Sequence, residues 1–330
     1  MSEHASPLRF LQDRPLVRLI GARVAGVVIT LLVVSFLIFS MLYLAPGDTA
    51  SFLVGDQTVS PEYLEIVRAQ YGLDKPFLVR YFDWLVGVLH LDFGQSILFR
   101  EDVTTLLAPR IGNSLSLVLY SSLLILIGGL ILGIVSGLKR GAVDQTIMVA
   151  TNAAQAVPSF VAAIILISIF SVGLGWFPVS GAGEGFLDRL WHLTLPAVAM
   201  ALVTTAIVTR ITRTAVQAEY RSEHVETARS RGIPDGLVIR RHVIRNGLIP
   251  IITVSGLVIA SQISAAVVVE TAFAIDGLGS YLVRAVEQRD FAIVQAISLI
   301  IVTMFVLANL VVDVLYMLID PRIRVGGGAR

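Results

Sequence analysis

The sequence has 330 residues, 55% of them hydrophobic and only 15% charged, against roughly 25% charged in an average soluble domain. It contains no cysteine, which excludes disulfides and thiolate metal sites, and its net charge of +1 carries no argument for a nucleic-acid partner. The charges are segregated between apolar runs of about 20 residues, the length an α-helix needs to cross ~30 Å of hydrocarbon, so an all-α polytopic membrane protein is expected.

Six transmembrane helices are expected, at 19–44, 113–138, 146–172, 195–215, 248–269 and 292–318. The runs do not alternate, and lipid admits only helices or closed barrels. The first resembles a leader segment, but its apolar stretch from Val24 to Leu44 exceeds the usual hydrophobic region of one, so it reads as a span. Arginine and lysine set the orientation. Seventeen of them fall in the N-terminal segment, the 2–3 and 4–5 connections and the C-terminal tail, counting Arg23, Arg210 and Arg213 at the adjoining ends of spans one and four. Arg189, Arg284 and Arg289 alone occupy the short opposite loops. The positive-inside rule then places both termini in the cytoplasm.

Residues 1–18 therefore read as a cytoplasmic segment, 45–112 as an external loop, 113–318 as the core and 319–330 as a cytoplasmic tail. Within the external loop, Ser60-Pro61-Glu62 has the pattern of a helix start and Gly72 of a stop. A second segment, 76–89, carries Phe77, Tyr81, Phe82 and Trp84. It reads either as a helix resting on lipid headgroups or as a docking surface for an external partner.

In span three Asn152, Gln155 and Ser159 share one helix face beside Pro158, whose missing N–H kinks a helix. In span five Ser255 and Gln262 share a face. These four polar positions, Asn152, Gln155, Ser255 and Gln262, either stitch helices together or line a hydrated path. Asp313 near the end of span six is either a paired structural acid or a functional one.

Between spans four and five, 216–247 forms a polar, basic island. Ser222 stands where a cap would start a short helix, Glu223 and Glu226 fall in its first turn, and Arg229 and Arg231 at its end. Gly232 supplies a left-handed stop, and Pro234 prevents continuation. The sequence has no G-x-x-x-x-G-K-[ST] loop for ATP phosphates, and its five histidines have no metal-ligand spacing.

Several stretches then carry a resemblance. They are Leu44-Ala45-Pro46-Gly47-Asp48, Tyr71-Gly72-Leu73-Asp74-Lys75-Pro76, Leu91-Asp92-Phe93-Gly94-Gln95-Ser96, Phe177-Pro178-Val179-Ser180-Gly181 and His192-Leu193-Thr194-Leu195-Pro196. Further on stand Glu226, Ala228 and Gly232 at the spacing E-x-A-x-x-x-G, Glu270-Thr271-Ala272-Phe273 with Gly277-Leu278-Gly279, Arg289-Asp290-Phe291 and Asp320-Pro321-Arg322-Ile323-Arg324. In this order the chain resembles the dipeptide/oligopeptide/nickel permease family of bacterial type I ABC importers, as the first permease of the pair. It departs at Thr227, where the general importer motif has Ala, and at Ile249 before Pro250.

The resemblance implies a type I importer transmembrane domain in the bacterial cytoplasmic (inner) membrane, not itself an enzyme. It implies a cytoplasmic coupling helix whose Glu223, Glu226, Ala228, Arg229 and Gly232 serve ATPase docking. The partners implied are a second homologous permease, two ABC ATPase subunits, an extracytoplasmic solute-binding protein and the lipid bilayer, with no nucleic acid. No cofactor is implied for this chain, ATP and Mg being used by the ATPases. The cargo implied is a short peptide. Nickel or another small solute is the alternative, and a stand-alone channel or secondary transporter is the rival from another class.

Overall fold

The computed structural model describes residues 15–44, 65, 74–96, 98–139 and 141–319, with backbone alone at 15–19, 42–44, 248–250, 252–255, 257, 259 and 315–319. The helix expected from Ser60 to Gly72 lies outside the described residues except at Glu65, and the C-terminal tail beyond 319 and the side chain of Ser255 lie outside them as well. All regular structure among the described residues is helical, apart from an isolated antiparallel bridge between Gln95 and Asp102.

The first helix, α1 (Pro15–Leu44), packs on the short α2 (Phe77–Leu89) and on the last helix, α11 (Phe291–Ile319). The α1–α2 contact is aromatic. Tyr81 is buried, meets Phe36 and Phe39 at ring-centroid distances of 5.2 and 5.6 Å, and shares a 2.9 Å hydrogen bond with the Ser35 hydroxyl. The aromatic segment thus rests against a span of its own chain, with Leu78, Phe82 and Val86 left exposed.

Helix α3 (Val103–Leu138) begins ten residues before the expected span. Span three is two helices rather than one, α4 (Ala142–Gln155) and α5 (Ser159–Leu166, continuing as a π-helical segment, Ile167–Gly173), with a bend of 98° between them. Pro158 causes the break. It has no N–H to donate and its ring disfavours helical geometry at Val157. The chain closes α4 with tight turns instead, Ala156 N–H to Ala153 O and Val157 N–H to Ala154 O.

Helix α6 (Gly185–Tyr220) also starts ten residues early and is the centre of the bundle. Within its most apolar window 61% of residues are buried, against 11% for α1 and 28% for α11. It packs most extensively on α3, along a glycine ladder. A Cβ at Gly129 would lie 2.6 Å from Val208 Cγ1, one at Gly137 would lie 2.7 Å from Val216 Cγ1, and one at Gly133 would collide with Thr212. Small residues four apart let two helix backbones approach closely, and dispersion along the seam supplies the attraction that lipid does not. Ser136 and Arg213 fasten the end of this seam to α4. Arg213 forks onto both oxygens of Asp144 at 2.6 Å, and the Ser136 hydroxyl donates to the same carboxylate at 2.5 Å.

Beyond α6 come α7 (Glu223–Ser230), α8 (Asp235–Val238, continuing as a π-helical segment, Ile239–Ile244), α9 (Arg245–Ala272) and α10 (Leu278–Glu287). Among the described residues four helices, α1, α3, α6 and α11, are long and apolar enough to cross a membrane, and the bent α4–α5 pair makes up to five. The span expected at 248–269 falls within the 28-residue α9, whose side chains are described only in part.

Candidate coupling site and polar faces

Eight residues are too few for a stable isolated helix, so α7 must be held by tertiary contacts. Its inward face is Val225 and Ala228, both buried in a cluster with Val216 of α6, Val238 and Val243, and packed against Leu138 and Ile233. The small Ala228 lets the helix lie close to this floor. Glu223, Glu226, Thr227 and Ser230 form the exposed face. No ion pair among the described residues holds either acid, although both lie in the first turn, where the helix dipole favours them.

The end of α7 is a Schellman turn. Gly232 at φ +75° brings its N–H to Arg229 O at 2.9 Å, and Ile233 N–H reaches Ala228 O at 3.3 Å. Ile233 also joins the apolar floor, the hydrophobic contact that accompanies this turn. Arg229 does not extend outward. Its guanidinium lies 4.3 Å from the centre of the Tyr220 ring and its Nε donates to Asp235 Oδ1 at 3.0 Å, tying α6, α7 and α8 together.

The start of α7 differs from expectation. Ser222 occupies the cap position with extended geometry, but its hydroxyl donates back to Glu219 O at 2.5 Å and leaves the helix N–H groups uncapped. His224 adds a contact that sequence spacing gives no sign of. Its Nε2 lies 3.3 Å from Glu219 Oε2 and 3.2 Å from Asn246 Nδ2, so α7 is also fastened to the first turn of α9.

The polar positions inside the bundle fall into separate places. Asn152 is exposed and Gln155 half-buried at the end of α4, and both accept from one nitrogen of Arg210, at 2.6 and 3.4 Å. Gln262 lies elsewhere. It is 2% exposed and faces α6, accepting from the Thr204 hydroxyl at 3.3 Å while its Nε2 donates to Met200 O at 3.4 Å. Asp313 pairs with Arg23 at 3.0 Å, joining α11 to α1.

At the opposite end from α7, two buried carboxylates organise the loops. Glu270 is fully buried, accepts from the Ser114 hydroxyl at 2.5 Å and from the N–H groups of Gly279 and Ser280 at 2.8 and 3.1 Å. It therefore sits on the N-terminus of α10, where the orphan donors and the dipole both favour an anion. Gly277 leaves room for that carboxylate, because any Cβ there would overlap it. Asp290 is 1% exposed and accepts from the Ser96 hydroxyl and from the N–H of Ile293 in the first turn of α11. The Glu270–Gly279 and Leu91–Ser96 stretches thus meet α10 and α11 through these two acids.

The residues 129–325 match the family model described as binding-protein-dependent transport system inner membrane component. The chain belongs to this family. Residues 16–118 match the model for the N-terminal membrane component of the same transport systems. A protein of Brucella abortus (strain 2308) named as a peptide transport system permease is 37% identical over 311 residues, 93% of this chain and 98% of the relative. The di/tripeptide transport system permease protein DppB of Pseudomonas aeruginosa (strain UCBPP-PA14) is 34% identical over 333 residues, with 92% and 98% covered. The glutathione transport system permease protein GsiC of Salmonella typhi is 34% identical over 303 residues, with 92% and 97% covered. This family member is an inner-membrane permease component of binding-protein-dependent transport, and it serves as a translocation subunit rather than an enzyme.

Proposed function

We propose that this permease subunit forms half of the membrane pathway of an ATP-driven importer of short peptides. The observation that carries the reading is the α7 platform. A short helix is fixed to α6, α8 and α9 by Val225, Ala228, Arg229 and His224, and it presents two unpaired acids outward. A helix that is rigid from below and charged above suits docking by another subunit and transmission of its motion to α6. The peptide cargo is supported by the names of the relatives, which include peptide, di/tripeptide and glutathione permeases.

In this reading α7 faces the cytoplasm, as the positive-inside count predicts, with both termini on that side. Glu223 and Glu226 contact one of two ABC ATPase subunits, while Ala228, Arg229 and Gly232 hold the helix in place. ATP and Mg act on those partners, and this chain holds no cofactor. A second, homologous permease completes the path, and an external solute-binding protein delivers the cargo to the end organised by Glu270 and Asp290, with α2 within its reach. Asn152 and Gln155 border the path, and Gln262 fixes α9 behind it. To convert the assembly nearly fully from one facing to the other, ATP must favour one state by about 5.5 kcal/mol. The test is uptake of labelled dipeptide into vesicles containing the assembled transporter. ATP- and binding-protein-dependent accumulation is the expected result. Accumulation of nickel or a non-peptide solute, with none of peptide, overturns the cargo, and accumulation without ATPase subunits overturns the mechanism.

A further inference from the structure

The exposed rows on the candidate spans are apolar. On α1 they read Val28, Ile29, Leu32 and Val33, and on α3 they read Leu115, Leu119, Leu123, Ile127 and Ile131. The exposed positions in the last third of α6 read Arg210, Thr214 and Ala218, four residues apart along one stripe. The other side of α6 at this level, at Val208, Thr212 and Val216, is closed against the glycines of α3. The Thr214 hydroxyl donates to Arg210 O at 3.0 Å, but a guanidinium without a counter-charge on the exposed stripe of the most buried helix is costly against hydrocarbon, whereas a hydrated face accommodates it.

Arg210 is also positioned. One terminal nitrogen is held by the side-chain oxygens of Asn152 and Gln155, just before the 98° break at Pro158. Its Nε and other terminal nitrogen have no partner among the described residues, and no carboxylate there pairs with it. Arg213, three residues on, is by contrast charge-paired with Asp144 through two hydrogen bonds. Two neutral oxygens orient a guanidinium without neutralising it. The remaining donors, Nε–H and the other terminal amino group, lie on different edges of the guanidinium and offer single charge-assisted hydrogen bonds to a carboxylate.

We propose that Arg210 is a carboxylate station on the translocation path. It receives the C-terminal carboxylate of a peptide on the side from which cargo leaves, and Asn152 and Gln155 aim it. This rests on the peptide-importer reading. Hydration keeps the pair weak, so the station guides the cargo without trapping it.

The test uses the assembled transporter with Thr214→Cys as the reactive thiol, since this chain has no native cysteine and Thr214 is exposed one turn from Arg210. Modification rates are measured with methanethiosulfonates carrying a sulfonate or a trimethylammonium, each relative to a free thiol. The expected result is reaction with both and a preference for the sulfonate. Arg210→Lys retains that preference and Arg210→Gln lowers it about fivefold, the effect of one nearby charge in water. Dialanine slows modification with Arg210 present but not with Arg210→Gln, and dialanine amide does not slow it. A thiol unreactive in every nucleotide state overturns the proposal, as does a reagent preference unchanged by Arg210→Gln. Equal protection by the amide also overturns it, and so does a preference abolished by anionic lipid and indifferent to dialanine, which would assign the guanidinium to a lipid phosphate. Uptake of labelled dialanine by the unsubstituted transporter, measured in parallel, separates the two readings. No uptake rejects the peptide cargo itself, whereas normal uptake without any Arg210 effect rejects the station alone.

Discussion

The two ends of the bundle are held by opposite means. Around α10, Glu270 and Asp290 are buried to 0% and 1% exposure, and their oxygens are occupied by backbone N–H groups and the hydroxyls of Ser114 and Ser96. Around α7 the anchors are small apolar side chains and a glycine turn, while Glu223 and Glu226 are exposed and unpaired among the described residues. The first arrangement spends its carboxylates inside the fold and fixes loops from distant parts of the chain. The second leaves its carboxylates available, so that end is suited to recognition and the other to a fixed architecture.

Substitutions should break this contrast in a graded way. Glu270→Ala strands two N–H groups and a hydroxyl in a buried site, and a loss of about 3 kcal/mol or more is expected, read as a lower unfolding temperature of the purified complex. Gly133→Leu drives a side chain into Thr212 at the α3–α6 seam and should cost ~1–3 kcal/mol by the same assay. Gly232→Val forces a β-branched residue to φ +75°, a strain of roughly 1–2 kcal/mol. Uptake should fall while membrane insertion stays normal, and unchanged uptake with coupled ATP hydrolysis would contradict the role given to that turn. Glu226→Lys should move stability by only about 0.5 kcal/mol, because the side chain is exposed, yet it should weaken ATPase association measured by co-purification.

Much of this was legible in the sequence, for identifiable reasons. The bend at Pro158 and the stop at Gly232 follow from residue-specific backbone limits that need no tertiary partner. Helix lengths were less accessible. Apolar runs report where hydrocarbon could lie, whereas α3 continues outward to Val103 because Val103 and Leu107 are buried against Leu278, Ile293 and Ile297. Ser222 has the sequence position of a capping hydroxyl, but an acceptor three residues back, Glu219 O, competes for it. The partners of Glu270 and Asp290 were out of reach, since Ser114 is 156 residues from one and Ser96 is 194 from the other. In the sequence Arg210 is one topogenic charge among many, and only the fold of α4 against α6 brings it to Asn152 and Gln155.

The contact proposed between α7 and an ATPase subunit can be tested directly. Single cysteines at Glu223, Glu226 and Ser230 on the exposed face, and at Phe82 on α2 as the distant comparison, can be crosslinked in the assembled transporter. Capture of an ATPase subunit from the three α7 positions, changing with nucleotide and absent from Phe82, is the predicted result. ATPase subunits that remain bound and active yet are captured from none of the α7 positions would contradict it.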